Sequence, residues 1–414
     1  MASAAPEAQA PSNRAVLALC FIVTVFEGYD LQSMGVAAPL LGKAMGLDKA
    51  QMSAALTAAM LGLMGGAASG GWLGDHLSRT MVLAIACGLF GLGTLATAFA
   101  WDLPSLVAFR ALTGLGIGAA LPNVMAILAD STSPERLGRQ GTTIFIGFPV
   151  GAIAAAALLV VFPNLPWQGI FVVGGVPPIL LMPFIWRVGT AAMRHRKANP
   201  VPLGKGVEEG PKDNFGALFG EGRLMTTLAL WASTITVLTL LYLYLNWLPS
   251  LIVDRGFSVT FGSLVMGVFQ IGSVIGALML GRLVDSIGLR WPVTVAALLL
   301  ALVTAWRAFA DTQPSLLIAA ALNGACVVGA QFVLYSVTPA YYPPKARGIG
   351  SGATVAAGRL GAVFGPLGFG LILAAGVDQT SAVLAMLPFI LLAAFCLFLL
   401  GGRARALPTR ETTV

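Results

Sequence analysis

Runs of about twenty apolar residues recur along this chain, and a run of that length spans a ~30 Å hydrocarbon layer when it is helical. No water is available there to satisfy backbone N–H and C=O groups, so a helix that bonds internally is the permitted form for such runs. Twelve of them lie roughly at 15–41, 50–73, 80–100, 103–129, 141–163, 168–188, 223–252, 260–281, 291–310, 314–337, 349–375 and 380–401. The residues are 57% hydrophobic and 10% charged, against about 25% charged in an ordinary soluble domain. The expected fold is all-α, with twelve membrane helices.

The net charge of +7 invites comparison with nucleic-acid binders, but its distribution points to topology. If both termini lie inside, most Lys and Arg fall on inner loops and tails, and only Lys43, Lys49, Arg255 and Arg307 fall on outer loops. Both termini are therefore expected in the cytoplasm, and no nucleic-acid partner is expected. Cys20, Cys87, Cys326 and Cys396 sit inside apolar runs without paired spacing, as packing residues would. The first run is too long for a signal peptide and carries two acids, so it reads as an uncleaved helix.

Near 188–222 the hydrophobic pattern breaks into RVGTAAMRHRKANPVPLGKGVEEGPKDNFG, a charged, Gly- and Pro-rich linker. It divides the chain into six-helix halves at 1–187 and 223–414. One signature occurs in each half: Gly71-Trp-Leu-Gly-Asp75 followed by Arg79, and Gly281-Arg-Leu-Val-Asp285 followed by Gly288 and Arg290. The two glycines are 210 residues apart (71 to 281), as are the two aspartates and the prolines of Pro134-Glu-Arg136 and Pro344-Lys-Ala-Arg347. Repetition at a common offset argues for an internal duplication.

Four charges lie well inside the runs, away from their ends: Glu27 and Asp30 in the first, Arg110 in the fourth and Arg359 in the eleventh. A charge at the bilayer centre costs roughly 2.5–3.5 kcal/mol even on insertion scales, so these must pair or face a polar cavity. The i, i+3 spacing puts both acids on one helix face. Depth, counted at 1.5 Å per residue, matches Asp30 with Arg110 and Glu27 with Arg359. Ion pairs that only neutralise one another are the structural alternative.

The repeated signature resembles the G-x-x-x-D-R-x-G-R-R loop of the major facilitator superfamily, departing from it at His76, Ser78 and Ser286. FEGYDLQSMGVAAPL, RALTGLGIGAALPN, NWLPSLI and YYPPKARGIGSGATVAAGRLGAVFGPL further resemble the aromatic acid:proton symporter family, whose D-G-x-D motif here reads Glu27-Gly28-Tyr29-Asp30. EGYDLQ, LNWLP and WQGIFVVGGVPP are most similar to its branch carrying 3-(3-hydroxyphenyl)propionate. The resemblance implies a monomeric transporter in the bacterial inner membrane, importing small aromatic carboxylates with protons and needing no cofactor.

It also implies roles. Glu27, Asp30 and Arg110 would couple to protons. Arg359 would hold the substrate carboxylate, since a guanidinium matches it bidentately. Tyr242 and Asn246 in segment seven, and Gln331 and Tyr335 in segment ten, would face the ring and hydroxyls, because segments one, four, seven and ten line the cavity in that superfamily; membrane tyrosines also serve as interface anchors. Gly71, Asp75, Arg79, Gly281, Asp285 and Arg290 would shape the inner gate, the glycines by letting helices approach.

An exporter of drugs or organic ions could use the same fold, and Gly147-Phe-Pro149-Val-Gly151 faintly resembles an antiporter motif. A non-transporting receptor is a further alternative. An enzyme is not expected: there is no H-E-x-x-H, and the only histidines, His76 and His195, lie in separate inner loops.

Overall fold

In the computed structural model, described for residues 13–132, 134–198, 215–220, 222–343 and 346–404, every regular element among the described residues is helical. In order they are α1 (Asn13–Met45), α2 (Lys49–His76), α3 (Arg79–Thr97), α4 (Leu103–Ser131), α5 (Pro134–Phe145), α6 (Gly147–Val161), α7 (Trp167–Ala198), α8 (Leu224–Val253), α9 (Val259–Ile287), α10 (Arg290–Ala308), α11 (Gln313–Val337), α12 (Arg347–Ala374), α13 (Gln379–Leu384) and α14 (Leu387–Ala404). Twelve stretches of these are long and apolar enough to cross a membrane. Large apolar side chains such as Leu61, Phe162, Leu180, Leu302, Phe364 and Phe389 remain exposed, which suits a lipid-facing surface. Most of the expected linker (199–214), Pro344 and the extreme termini lie outside the described residues.

Two spans are broken helices, and proline accounts for both. Pro149 has no N–H for the carbonyl of Phe145, where α5 ends, and Pro388 has none for Leu384, where α13 ends. The chain resumes as α6 and α14. Thr24 Oγ1, on α1, donates to the carbonyl of Ile144 at 2.9 Å, satisfying a neighbouring acceptor at the first break.

By contacts the helices form two compact units. One holds α1 as far as Ala37, α2 from Ala58, and α3–α7 apart from residues 159–163. Its interior is built from Val16, Cys20 and Val23 of α1 with Leu83, Cys87 and Phe90 of α3, Val124 and Leu128 of α4, Ile144 and Ile185. The other holds the second half of the chain together with residues 38–57, the tip of the α1–α2 hairpin. There Lys49 forms an ion pair with Asp254. Ser53 Oγ donates to the carbonyls of Pro366 and Leu367 at 3.1 and 3.0 Å, and Trp247 Nε1 donates to Pro366 at 3.0 Å.

The duplication seen in the motifs extends to packing. A Cβ on Gly62 would strike the backbone of Ala111, and one on Gly272 that of Ala321; Gly114 meets Ala59 as Gly324 meets Phe269, and Gly151 meets Val25 as Gly361 meets Ile235. Each partner in the second unit stands 210 positions after its counterpart. The turns that follow α1 and α8 repeat as well. Gly46 and Gly256 both take positive φ, 63° and 89°, where a side chain would be strained. Asp48 and Ser258 then accept from the backbone N–H of Gln51 and Phe261. Asp102 caps α4 through Ser105, whose hydroxyl and backbone bonds hold that carboxyl below its ordinary range.

The expectation for the signature glycines is corrected by this packing. Nothing lies within 4 Å of a Cβ placed on Gly71 or Gly281, so close approach is carried by Gly62, Gly66, Gly70, Gly272 and Gly276 earlier in the same helices. Gly272→Ala should therefore lower the thermal stability of the purified protein, whereas Gly281→Ala should leave it unchanged. Equal melting temperatures for the two variants would refute this packing.

Candidate functional site

The motif Glu27-Gly28-Tyr29-Asp30 lies in the middle of α1, and its two central residues fix the rotation of that helix. A Cβ on Gly28 would collide with the backbone of Phe148, so α6 lies directly against that face. Tyr29 donates its hydroxyl to the carbonyl of Ile170 at 2.9 Å, and its ring packs where Gly174 leaves room. Both acids are fully buried, at 0% exposure.

Asp30 is held by two other helices. Arg110 Nη1 and Nη2 reach its two oxygens at 3.1 and 3.2 Å, a bidentate fork, and Thr94 Oγ1 donates to Oδ1 at 2.5 Å. The guanidinium lies 5.9 Å from the centre of the Phe171 ring. The pairing expected from depth is thus present, with Thr94 as a third member that no sequence pattern announces. Both partners are at most 1% exposed, and removing one partner of such a pair costs about 3–5 kcal/mol because the other charge is stranded.

Glu27 departs from expectation. Among the described residues neither carboxyl oxygen has a hydrogen-bond partner, and its electrostatic neighbours include the buried thiols of Cys20 and Cys87. A 1.5 Å rise fixes depth but not azimuth, and the azimuth imposed by Gly28 and Tyr29 aims Glu27 into the interior of the first unit. An ionised group there lacks the compensation that Asp30 has.

Arg359 sits on α12 within the second unit. Its Nη1 donates to the hydroxyl of Tyr242 at 3.1 Å. Tyr335 is an electrostatic neighbour of both and is hydrogen-bonded to Gln331. Four of the expected substrate residues therefore form one cluster, and among the described residues no carboxylate pairs with Arg359. Asn246 is placed differently. Its amide donates back to the carbonyl of Tyr242 at 2.7 Å, one turn earlier in α8.

The loop-signature residues divide. Arg79 opens α3 and Asp285 is exposed in the last turn of α9, while the side chain of Asp75 lies outside the described residues. Arg290 stacks on Phe398 at 3.8 Å, with Trp291 beside it at 5.9 Å. Arg307, expected on an outer loop, is instead 1% exposed at the end of α10, over the ring of Tyr244 at 5.3 Å. Its place in the last turn of an apolar run was the available signal.

A buried fork on an acid in one unit, and a cation amid tyrosines in the other, characterise a polytopic carrier rather than an enzyme. The Major Facilitator Superfamily model matches residues 20–268 and 230–413. The chain belongs to that superfamily. Within it the chain falls in the aromatic-acid branch. It is 38% identical over 408 residues to the 3-(3-hydroxy-phenyl)propionate transporter of Escherichia coli (strain K12), covering 97% of this chain and 98% of that one. It is 32% identical to the gallate transporter of Pseudomonas putida, over 96% and 94% of the two chains. It is 31% identical to the 4-hydroxybenzoate transporter PcaK of Pseudomonas aeruginosa, over 86% and 85%. Among solved structures, a bacterial homologue of the human lysosomal transporter Spinster superposes with a TM-score of 0.77 at 16% identity, covering 97% and 99%. The D-xylose–proton symporter gives 0.72 at 14%, covering 96% and 98%. These two bear on the fold alone.

Arg110→Gln should lower the melting temperature of purified protein by stranding Asp30, and Asp30→Asn added to it should recover most of the loss. A double variant no more stable than Arg110→Gln would show that the pair contributes nothing as a pair.

Proposed function

We propose that this chain is a secondary transporter that imports small aromatic carboxylates, of the hydroxybenzoate or hydroxyphenylpropionate type, by proton symport with alternating access across the bacterial inner membrane. The observation that carries this reading is the contrast between two buried charges left without an opposite charge. Glu27 has no partner in the first unit, and Arg359 has only hydroxyl neighbours in the second. An orphaned carboxyl in apolar surroundings suits a group that moves between a neutral, protonated form and a charged one. A guanidinium flanked by tyrosines suits an aromatic acid, offering a fork to the carboxylate and rings to the substrate ring. The substrates after which the three relatives are named agree with that class.

Asp30, already neutralised by Arg110, is the second proton-coupling residue: its fork opens or closes with the charge on the carboxylate. Tyr242, Gln331 and Tyr335 contact the substrate around Arg359, and Asn246 supports Tyr242. The excess of Lys and Arg on inner loops places both termini in the cytoplasm. Gly147 and Gly151 pack against α1, so a helix-packing role accounts for them without an antiport role.

Uptake of labelled aromatic acid by cells carrying this chain should rise as external pH falls and stop when the proton gradient is collapsed. Glu27→Gln should impair accumulation strongly, and Asp30→Asn should abolish it with folded protein still in the membrane. Accumulation that survives collapse of the gradient would falsify the coupling.

Arg359→Lys should weaken binding, because a point charge does not reproduce the planar fork. A neutral amide analogue should bind the wild type poorly and lose little more on Arg359→Ala. Equal losses for acid and amide on Arg359→Ala would move the carboxylate anchor to Arg110.

A further inference from the structure

The second unit contains another arginine whose charge nothing opposes. Arg307 is 1% exposed, and its Nε and Nη2 atoms have no hydrogen-bond partner. Those two N–H groups lie on one edge of the guanidinium and point the same way, the edge that takes a carboxylate side-on. The face of the group rests on Tyr244, 5.3 Å away. That ring is held by a hydrogen bond between its hydroxyl and Thr304 at 2.9 Å, and it packs against Phe269 at 5.6 Å. A ring face attracts a cation but does not satisfy its N–H donors.

The acids around this end of the unit are otherwise engaged or exposed. Asp254 pairs with Lys49, and Asp311 is exposed and acts on Arg255. Arg255 closes the end of α10, donating from Nη1 to the carbonyls of Arg307 and Ala310 at 3.1 and 2.9 Å and from Nη2 to that of Ala308 at 3.1 Å. Burial first, and the nearby charge of Arg307 second, push the guanidinium of Arg255 below its ordinary range, with Asp311 opposing. Two cations held together with no acid paired to Arg307 among the described residues leave a positive charge that an anion would offset. The position is also a departure from the duplication, since the matching residue 210 positions earlier is Thr97, whose hydroxyl is satisfied by the carbonyl of Gly93.

We propose that the Nε–Nη2 edge of Arg307, walled by Tyr244 and roofed by Arg255, is a second carboxylate site, separate from Arg359 and near the outer end of the second unit. Its occupant is the carboxylate of an aromatic acid or of a smaller acid. The inference rests on the transport reading only for the choice of aromatic probe. Occupancy requires Arg255 to release the end of α10, since the fork is shut away from solvent in this state.

The test is the melting temperature of the full-length purified protein, read as monodisperse protein surviving heating, with sodium benzoate, formate, chloride or neutral benzamide at equal ionic strength. Arg359→Ala should retain a saturable rise with benzoate that chloride and benzamide do not give, and adding Arg307→Lys, which keeps the charge over Tyr244 but not the fork, should abolish it. Formate reproducing the rise assigns the site to carboxylates at large; benzoate alone assigns it to aromatic acids. The proposal is overturned if Arg359→Ala shows no rise, if the rise survives Arg307→Lys, or if chloride matches benzoate. A wild-type response lost completely in Arg359→Ala sinks this site and leaves the proposed function standing, whereas a wild type indifferent to benzoate sinks both.

Discussion

A hydrocarbon layer offers no hydrogen bonds, and each polar group of this chain within the spans must find its partner inside the protein or carry the cost. The helices meet that demand for the backbone. The side chains meet it by reaching back: Thr24, Thr97, Thr113, Thr234, Ser273 and Thr354 all donate to carbonyls one turn earlier in their own helices. At two prolines that leave a carbonyl free, Pro149 and Pro388, the helix breaks, whereas Pro39, Pro122, Pro249 and Pro366 are carried inside continuous helices. Against that background of satisfied groups, the few that remain unsatisfied stand out as sites rather than as defects.

Packing without a hydrophobic driving force between helices depends on backbone approach, and glycine supplies it here. The same contacts recur in both units at a constant sequence offset, from Gly62 and Gly272 to Gly151 and Gly361. The duplication thus preserved the helix-to-helix surfaces. It did not preserve the charges. The positions matching Glu27, Asp30 and Arg110 are Val237, Leu240 and Ala320, and the position matching Arg359 is Pro149. One scaffold built twice therefore carries acid chemistry in the first copy and cation chemistry in the second.

That division has an energetic logic. Asp30 and Arg110 face each other in a bidentate fork, so each offsets the other's burial, and removing either strands the other. Glu27, Arg359 and Arg307 have no such internal compensation. A folded protein keeps a buried polar group of that kind against a tendency toward apolar replacement, and in the proposed function the compensation arrives from outside: a proton for the acid, a carboxylate for the bases.

The amino-acid sequence alone determined the number of spans and their limits to within a few residues, because bilayer thickness sets how long an apolar run must be. It also determined the duplication, through motifs repeated at a common offset; the rise per residue matched Asp30 with Arg110 in depth, but it matched Glu27 with Arg359 equally well, so the contact itself was left to the fold. Tertiary structure decided everything that depends on azimuth. Gly28 and Tyr29 lock α1 so that Glu27 faces the interior of the first unit, Arg359 turns toward Tyr242, and Thr94 reaches Asp30 from α3. Packing within the second unit likewise buries Arg307 on Tyr244 although it lies at a helix end. Depth is a property of one helix, whereas azimuth is settled only when neighbouring helices pack, and the backbone contacts that settle it join residues far apart in the chain.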